Sequence, residues 1–306
     1  MEENKRLVVI DGNHLIHRAF YAIQAPLKTS SGEQTNAIYG FANMVLNVID
    51  REHPDYIAMT FDERAPTFRH DAHDGYKATR KKTPDELHAQ VPRIRELVKR
   101  FNMIAFSKEG FEADDMMGTL AVKAEEDGIS TYIVTGDMDM LQLINDQITV
   151  VFPHKGYKEP TFYNAEGVFK KYKIHPNQVV DYKAIVGDAS DNIKGIDGIG
   201  PKGASDLLDK YKTLDGIYDN LDNISSENMK NKLINGRDAA YFAKSLATIV
   251  IDAPCDFKKE DTRLEHLDYC ELLKFFEEME MKSLQNRLKK MIPAERLAPE
   301  AQMSMF

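Results

Sequence analysis

Acidic side chains follow short apolar segments at several places in the first two-thirds of the chain. Asp11 comes directly after the apolar run at residues 7–10, and Asp62 follows a similar run at residues 56–61. The acids in such positions, or close behind them, are Asp11, Asp62, Glu112, Asp114, Asp115, Asp137, Asp139, Asp188 and Asp191. Carboxylates ~4 Å apart repel by roughly 4 kcal/mol at an effective dielectric of about 20, so their convergence requires cations. Because hard divalent cations prefer oxygen ligands, the pattern predicts a Mg²⁺ or Mn²⁺ site and chemistry on phosphates.

Helix capping is the alternative explanation for the acids Glu112, Asp114 and Asp115, which stand where a helix is expected to begin. Capping and compensation of the helix dipole account for one or two acids, but not for three within four residues. Asp137 and Asp139 repeat the arrangement after another apolar run. Two-metal sites, whose ions lie ~3.5–4 Å apart, need more carboxylates than one-metal sites, and this chain provides them.

Residues 64–100 carry ten Lys or Arg against five Asp or Glu, so this segment is positive within a chain of net charge −9. Its most basic part is YKATRKK at residues 76–82. Lys and Arg bind phosphate groups, and a neighbouring tyrosine stacks on an unpaired base. A solvated basic loop is the alternative. The position of Tyr76 beside Lys77, shortly after Asp62, favours a nucleic-acid contact.

Residues 195–204 read GIDGIGPKGA, which is typical of a helix–hairpin–helix turn. Gly198 and Gly200 permit a tight turn with positive φ. Backbone N–H groups of the turn, and of the helix that follows, then face a phosphate. Such a module holds the duplex backbone without reading sequence. An ordinary interhelical turn is the alternative, but the Gly-Ile-Gly-x-Lys pattern ending at Lys202 favours DNA.

The elements that must position these residues form an α/β fold with a mostly parallel central sheet flanked by helices. Strand-like runs at residues 7–11, 56–61, 103–106 and 130–135 alternate with helical spacing at 36–48, 84–101, 113–127 and 138–144. This alternation favours a parallel sheet with right-handed crossovers. Open parallel sheets bind ligands at the carboxyl ends of their strands, which is where the acids stand.

Strand signals become sparse after residue 175, and helices are expected at 178–187, 202–211, 227–235, 238–250 and 268–290. We therefore expect an α/β core at residues 1–174 that includes the basic segment 64–100. A helical DNA-binding subdomain follows at 175–292, and a flexible tail at 293–306.

The bulk composition fits a globular protein of the cytosol. The two cysteines, Cys255 and Cys270, predict reduced thiols, and no segment resembles a signal peptide or a membrane span. No phosphate-binding P-loop or strand-linked GxGxxG occurs, which disfavours nucleotide hydrolysis and dinucleotide redox chemistry. His14 and His17 are interpreted as surface or core residues.

Six motifs occur in order: VIDGNHLIHRAFYA (9–22), TFDERAPTFRH (60–70), GYKATR (75–80), GFEADDMMGTLA (110–121), TGDMDMLQL (135–143) and AIVGDASDNIKGIDGIGPKGA (184–204). Together they resemble the bacterial 5′-nuclease family, which comprises the 5′–3′ exonuclease domain of DNA polymerase I and free-standing relatives similar to flap endonucleases. The resemblance runs from about residue 7 to about residue 288. It implies a PIN-like nuclease fold with a helical arch over the site.

The resemblance also implies roles for the residues named above. Asp11, Asp62, Glu112, Asp114 and Asp115 match positions around a first metal, and Asp137, Asp139, Asp188 and Asp191 match positions around a second. Lys77, Arg80 and Tyr76 match the arch, as contacts to the scissile phosphate and a stacked base, and are assigned catalytic roles with Asp115 and Asp137. Contacts to DNA are expected from Arg18, Arg69, Lys81, Lys82, Gly198, Gly200 and Lys202, and the hairpin turn is expected to hold K⁺.

The implied function is two-metal hydrolysis of DNA phosphodiesters at 5′ flaps, nicks and 5′ ends, with RNA primers as further substrates. All nine acidic positions are filled, which indicates an active enzyme. The alternatives are a catalytically silent protein that marks DNA structures, and a ribonuclease of a related fold.

The last five residues, Gln302, Met303, Ser304, Met305 and Phe306, resemble the short peptide by which bacterial replication proteins dock on the sliding clamp. Chance similarity in an unstructured end is the alternative. The peptide also suggests a free-standing protein.

Overall fold

The computed structural model describes residues 5–80 and 82–292. Six strands form the central sheet: β1 (Arg6–Asp11), β2 (Tyr56–Thr60), β3 (Ile104–Phe106), β4 (Ser130–Val134), β5 (Ile148–Phe152) and β6 (Thr161–Tyr163). Their order is β3-β2-β1-β4-β5-β6, in which only the edge pair β5–β6 is antiparallel. The predicted mostly parallel sheet is confirmed.

Helices surround this sheet and form most of the second half of the chain. They are α1 (Gly12–Ala22), α2 (Asn36–Glu52), α3 (Phe68–Ala72), α4 (Asp85–His88), α5 (Val91–Arg100), α6 (Ala113–Glu126), α7 (Ala165–Tyr172), α8 (Val179–Val186), α9 (Pro201–Tyr211), α10 (Leu214–Asp219), α11 (Glu227–Asn235), α12 (Arg237–Ala247), α13 (Tyr269–Glu278) and α14 (Lys282–Met291). Residues 138–143, expected to be α-helical, form a 3₁₀ helix. Within the described ranges, no helix is both long enough and apolar enough to cross a membrane.

The central strand β1 is buried on both faces, which explains its uninterrupted apolar sequence. Leu7 and Val9 pack into one apolar cluster, whereas Val8 and Ile10 pack into the cluster on the opposite face of the sheet. All four side chains are fully buried, and each contributes about 1.5–3 kcal/mol through burial. The strand therefore holds Asp11, its last residue, in a fixed position.

Parallel pairing brings the carboxyl ends of β1, β2 and β4 to the same edge of the sheet. Asp11 is paired with Thr60, the last residue of β2, and β4 pairs with the other side of β1. Asp62 and Asp137 follow β2 and β4 by two and three residues. The three acids therefore reach one edge, as the sequence predicts.

The basic segment is less helical than expected. A helix from Pro84 to Phe101 is predicted, but the structure breaks it into α4 and α5, and residues 73–80 form turns. Pro92 lies in the first turn of α5, where its missing N–H and its ring are tolerated, whereas a continuous helix would place both in the interior. The helical arch implied by the resemblance is therefore absent over residues 73–80.

The last two helices differ from the expected division of the chain at residue 175. Leu272, Phe275 and Leu284, on α13 and α14, lie in the same buried cluster as Ile38 and Leu97 of the α/β core. Helical periodicity identifies an apolar face but not the surface that it covers, so sequence alone assigns these helices to the subdomain that precedes them.

A short antiparallel hairpin, β7 (Gly187–Asp188) with β8 (Ile193–Lys194), interrupts the helical part and carries Asp188. Gly187 ends α8 with φ +82°, a conformation that favours glycine. A Cβ at this position would lie 2.5 Å from the backbone N of Gly195. The hairpin therefore requires glycine here.

We predict that Gly187→Ala lowers the free energy of unfolding by about 2 kcal/mol or more, since both the backbone conformation and the steric contact oppose a side chain. Chemical denaturation measures this. Gly167→Ala is the control, because the nearest atom to its Cβ would be at an ordinary 3.4 Å. Equal stability of the two variants would contradict the argument.

Candidate active site

A cleft of about 810 Å³ opens at the carboxyl edge of the sheet. Four carboxylates line it: Asp11, Asp62, Asp114 and Asp137. Three cationic side chains, Lys77, Arg80 and Arg95, line it as well. The cleft therefore gathers acids from three strand ends and one helix start, facing cations of the basic segment.

Backbone and side-chain donors fix two of these carboxylates in place. Asp11 caps α1 by accepting from the backbone N of His14 at 2.9 Å, and it accepts from Thr135 Oγ1 at 2.8 Å. Asp62 accepts from the backbone N of Ala113, at the start of α6, at 2.8 Å. Helix N-termini stabilise anions, so the starts of α1 and α6 help to hold Asp11 and Asp62. The capping alternative for Glu112 and Asp115 is correct, since the two form a capping box at the start of α6, but capping does not account for the whole cluster.

Hydrogen bonds and nearby cations offset the negative charge of the carboxylates in the cleft only in part. Burial, with the charges of Asp62 and Asp137, raises the pKa of Asp11 to about 6 despite its two hydrogen bonds. Burial and neighbouring acids also raise the pKa of Asp114 and of Asp137, although Lys183 and Lys77 oppose this for Asp137. The carboxylate of Asp114 forms no hydrogen bond within the described part of the chain. Oxygen donors with raised pKa values and an unpartnered carboxylate fit a divalent cation.

A second acidic cluster comprises Asp139, Asp188 and Asp191, which offer oxygen atoms within 4.8 Å of one another. Lys183 Nζ lies against Asp139 and 2.6 Å from Asp188. Burial opposes ionisation of Asp188, but Lys183 and Ser190 overcome it and lower the pKa to about 2. Sequence analysis missed Lys183, and its only signal is its place in the helix that leads into Asp188.

Lys77 and Arg80 of the basic segment lie close to these acids. Lys77 Nζ lies 2.8 Å from Glu112, and Arg80 lies 2.5 Å from Asp191. Arg80 remains half-exposed, so it is open to a ligand that enters the cleft. Carboxylates therefore neutralise both cations in this structure.

Asp115 and Arg69 do not take the expected positions. They form a buried bidentate ion pair at 2.7 and 2.8 Å, and Arg69 also donates to the backbone oxygens of Leu246 and Thr248. Asp115 further accepts from the backbone N of Glu112 and Val250, so both of its oxygens are occupied. In this structure Asp115 offers no free oxygen to a metal and Arg69 no surface to DNA, because each saturates the other.

Tyr76, expected to stack on a base, is 5% exposed. Its hydroxyl donates to Glu112 at 3.0 Å and Asp191 at 3.2 Å. The ring edge packs against His70. The Tyr76 hydroxyl therefore helps to hold the carboxylates of Glu112 and Asp191 in place. The faces of its ring are not available to a base in this conformation.

The remaining predicted contacts lie around the cleft. Arg18 lines a side groove with Tyr21 and Lys155, and His14 and His17 belong to both this groove and the cleft. The two histidines, interpreted from the sequence as surface or core residues, therefore lie at the site. Burial, together with the charge of Arg18, lowers the pKa of His14 to about 4, although Asp137 opposes the shift.

The hairpin turn lies beside the second cluster. Gly198 has φ +77°, and Gly200 lies immediately before α9, which places Lys202 at the start of that helix with an exposed side chain. Lys82 is exposed. Lys81 and the tail peptide at residues 302–306 lie outside the described residues.

Two domain families match the chain. The N-terminal, resolvase-like domain of 5′-3′ exonucleases matches residues 6–173, and the C-terminal SAM fold of the same enzymes matches residues 174–269. A parallel sheet whose acidic edge faces basic side chains fits that description. The chain belongs to the 5′-3′ exonuclease family, a family of nucleases.

Among curated proteins, DNA polymerase I of Caldicellulosiruptor bescii is 42% identical over 285 residues, and DNA polymerase I of Bacillus subtilis is 38% identical over 288 residues. The alignments cover 92% and 94% of this chain but 33% of each relative. The chain thus spans about a third of the length of these polymerases.

Among solved structures, T5 5′-exonuclease with bound divalent zinc ions has a TM-score of 0.68 at 18% identity, covering 90% of this chain and 99% of that one. The bacteriophage T5 flap endonuclease, in a complex with DNA and metal ions, has a TM-score of 0.68 at 17% identity, covering 92% and 100%. At these identities the likeness is one of fold.

We predict that Arg69→Met lowers the free energy of unfolding by about 3–5 kcal/mol, because it leaves the Asp115 carboxylate buried and unpaired. Arg64→Met is the matched control, since Arg64 is exposed. Denaturant unfolding measures both variants. If Arg69→Met were as stable as Arg64→Met, the ion pair would not have the structural role described.

We predict a pH-dependent stability difference between Asp11→Asn and the unchanged protein, measured without metal. A raised folded-state pKa means that Asp11 stabilises the fold below pH 4, its unfolded value, and that this contribution is lost as pH rises through about 6. The free energy of unfolding should therefore shift by about 3 kcal/mol in favour of the Asn variant between pH 4 and pH 7. Comparing the variants cancels His14, whose shift acts oppositely. Parallel curves would contradict the raised pKa.

Proposed function

We propose that this chain hydrolyses DNA phosphodiesters as a structure-specific 5′-3′ exonuclease and 5′-flap endonuclease, acting in replication and repair. The observation that carries the proposal is the cleft in which Asp11, Asp62, Asp114 and Asp137 converge opposite Lys77 and Arg80. Carboxylates alone repel a phosphodiester, and cations alone do not activate water. Their joint presence suits a reaction in which metal ions and a nucleic-acid backbone share one cleft.

We propose Mg²⁺ or Mn²⁺ as the ions, since the donors are carboxylate oxygens. The family resemblance assigns Asp137 to the second ion, but Asp137 lines the cleft with Asp11, Asp62 and Asp114. These four acids would therefore hold the first ion, and Asp139, Asp188 and Asp191 would hold the second. When bound, such ions activate water and stabilise the leaving oxygen. Glu112 is assigned to neither ion, because it is the ion-pair partner of Lys77.

Lys77 and Arg80 would bind oxygens of the scissile phosphate. Arg80 pairs with Asp191, so an ion held by Asp191 would exchange with Arg80 and leave this cation to contact the phosphate. Lys77 pairs with Glu112, which is assigned to neither ion. Charge-assisted hydrogen bonds from such groups become stronger as negative charge develops on the phosphate. Lys183 is placed to undergo the same exchange, because it occupies the acidic cluster that a second ion would enter.

The duplex would lie on the turn at residues 195–200 and on the first turn of α9. The exposed amino group of Lys202 and the backbone N–H groups at that helix start suit phosphates. A K⁺ ion at this turn, which the sequence suggests, would share the carbonyl oxygen of Gly198 with Lys232, which donates to it at 3.0 Å. Arg18, in the side groove, would meet a strand that leaves the cleft.

Substrates and partners proposed here are DNA with 5′ flaps, nicks or 5′ ends, and RNA primers. Docking on a sliding clamp is proposed from the sequence of residues 302–306 alone.

We predict that the protein cuts a 5′-labelled DNA flap with Mg²⁺ or Mn²⁺ and that EDTA abolishes cleavage. Asp137→Ala should lower the rate by roughly 100-fold or more, beyond the effect of removing an outer partner of a metal ligand. Asp146→Ala is the matched control, because Asp146 is exposed and precedes β5 at the opposite edge of the sheet.

A matched RNA flap belongs in the same assay. Faster cleavage of RNA than of DNA would favour the ribonuclease alternative. Metal-independent binding of flaps without any cleavage would favour the silent DNA-binding protein, and either result would overturn the proposal.

A further inference from the structure

The segment that carries Lys77 and Arg80 is held by residues that lie far away in the sequence. Lys77 donates its backbone N–H to the oxygen of Asp191 at 3.0 Å. Asn192 donates its side-chain Nδ2 to the backbone oxygen of Gly75 at 2.8 Å. The ring of His73 contacts the backbone oxygen of Asn192 at 3.2 Å. Residues 73–80, here called the basic turn, form short-range turn hydrogen bonds of their own, from the backbone N–H groups of Tyr76, Ala78 and Arg80. The contacts with residues 191–192 fix this turn relative to the acidic cluster.

Backbone strain is concentrated at the same contact. Lys77 has φ +56° and Asn192 has φ +58°, both in the left-handed region. Strain of this kind costs of order 1–3 kcal/mol per residue and persists only where surrounding contacts impose it. Gly75 permits the close approach, since a Cβ there would lie 2.9 Å from Asn192 Nδ2. Asn tolerates the left-handed region better than most residues, and Gly75 has no Cβ to block the approach. The residue types at positions 192 and 75 therefore suit this contact.

Asn192 also stands between the acidic cluster and the duplex-binding turn. It follows Asp191, which accepts from Arg80 and Tyr76, and it precedes β8, which pairs with β7 and so with Asp188. Beyond β8, Ile196 donates its backbone N–H to Ile185 and so fixes the start of the turn. A shift of Asn192 therefore displaces the basic turn relative to the acidic cluster and to the turn at residues 195–200.

We propose that Asn192 is a positioning residue, whose side-chain amide locks the basic turn so that Lys77 and Arg80 face the scissile phosphate. The inference rests on the proposed function, and it adds a residue that acts through others and does not touch substrate. Loss of the Asn192 bond frees the basic turn to leave its strained conformation. The phosphate then meets Lys77 and Arg80 in only a fraction of molecules, while the duplex still binds at residues 195–202.

Three substitutions test this. Asn192→Gly keeps access to the left-handed backbone and removes only the side-chain donor. Asn192→Asp keeps similar backbone tolerance but sets a carboxylate against the Gly75 oxygen. Gly75→Ala breaks the same contact from the other side. Asn102→Gly is the matched control: Asn102 also has a left-handed backbone, at φ +53°, and donates Nδ2 to a distant backbone oxygen, that of His266, at 2.9 Å.

We expect single-turnover flap cleavage to fall about 10-fold in Asn192→Gly, the effect of one lost hydrogen bond, and further in Asn192→Asp. The Kd for the flap should stay within about twofold, measured with Ca²⁺ in place of Mg²⁺. In a Lys77→Ala background, Asn192→Gly should have a smaller effect, because only the part of its action that runs through Arg80 remains. Unchanged cleavage in Asn192→Gly, or an equal loss with and without Lys77, would overturn the inference.

Limited trypsin digestion gives a readout that does not depend on cleavage activity. Asn192→Gly should be cut faster within residues 77–82 than the unchanged protein, while Asn102→Gly should not. If the unchanged protein cuts no flap, the proposed function fails, and the digestion still decides whether Asn192 holds the basic turn. Equal digestion of all three proteins would overturn the inference.

Discussion

Repulsion among carboxylates at the carboxyl edge of the sheet is the constraint on which the rest of the structure depends. One cleft holds the carboxylates of Asp11, Asp62, Asp114 and Asp137. Burial raises the pKa of Asp11 to about 6. The fold tolerates this repulsion because other parts of the structure stabilise it. Strand β1 is apolar on both faces, and helix N-termini donate N–H groups to Asp11 and Asp62. Stability thus comes from the sheet, which keeps the carboxylates together at its edge.

The basic side chains near this edge divide into two groups with different physical roles. Arg69 is buried and bidentate with Asp115, and it ties α3 to α6 and to the backbone after α12. Lys77, Arg80 and Lys183 remain partly exposed. Lys77 contacts Glu112, whereas Arg80 and Lys183 contact carboxylates of the second cluster. A desolvated bidentate pair is not exchangeable without a large cost, whereas partly exposed pairs are weaker and exchange readily. Solvent access therefore separates the structural cation from those suited to a ligand.

The short hairpin of β7 and β8 joins the two halves of the molecule. On one side it carries Asp188 and leads to Asp191, and on the other it enters the turn at residues 195–200. Gly187 and Gly195 lie so close that neither accepts a side chain. Such close backbone packing makes the hairpin stiff, so the turn at residues 195–200 and the acidic cluster keep a fixed distance.

The sequence by itself determined the mostly parallel sheet, the positions of its first four strands, and the convergence of Asp11, Asp62 and Asp137. Strand ends are local features of the sequence, and the alternation of strands with helices favours parallel pairing. It also identified Lys77 and Arg80 as cations near the acids. Only the tertiary structure decided which carboxylates remain free, since Asp115 and Asp114 are adjacent in sequence but one is saturated by Arg69 and the other forms no hydrogen bond among the described residues. The same holds for Tyr76, whose ring is covered by elements remote in the chain, and for α13 and α14, which return to the core. Burial and pairing depend on contacts between distant segments, and sequence periodicity carries no information about which segments meet.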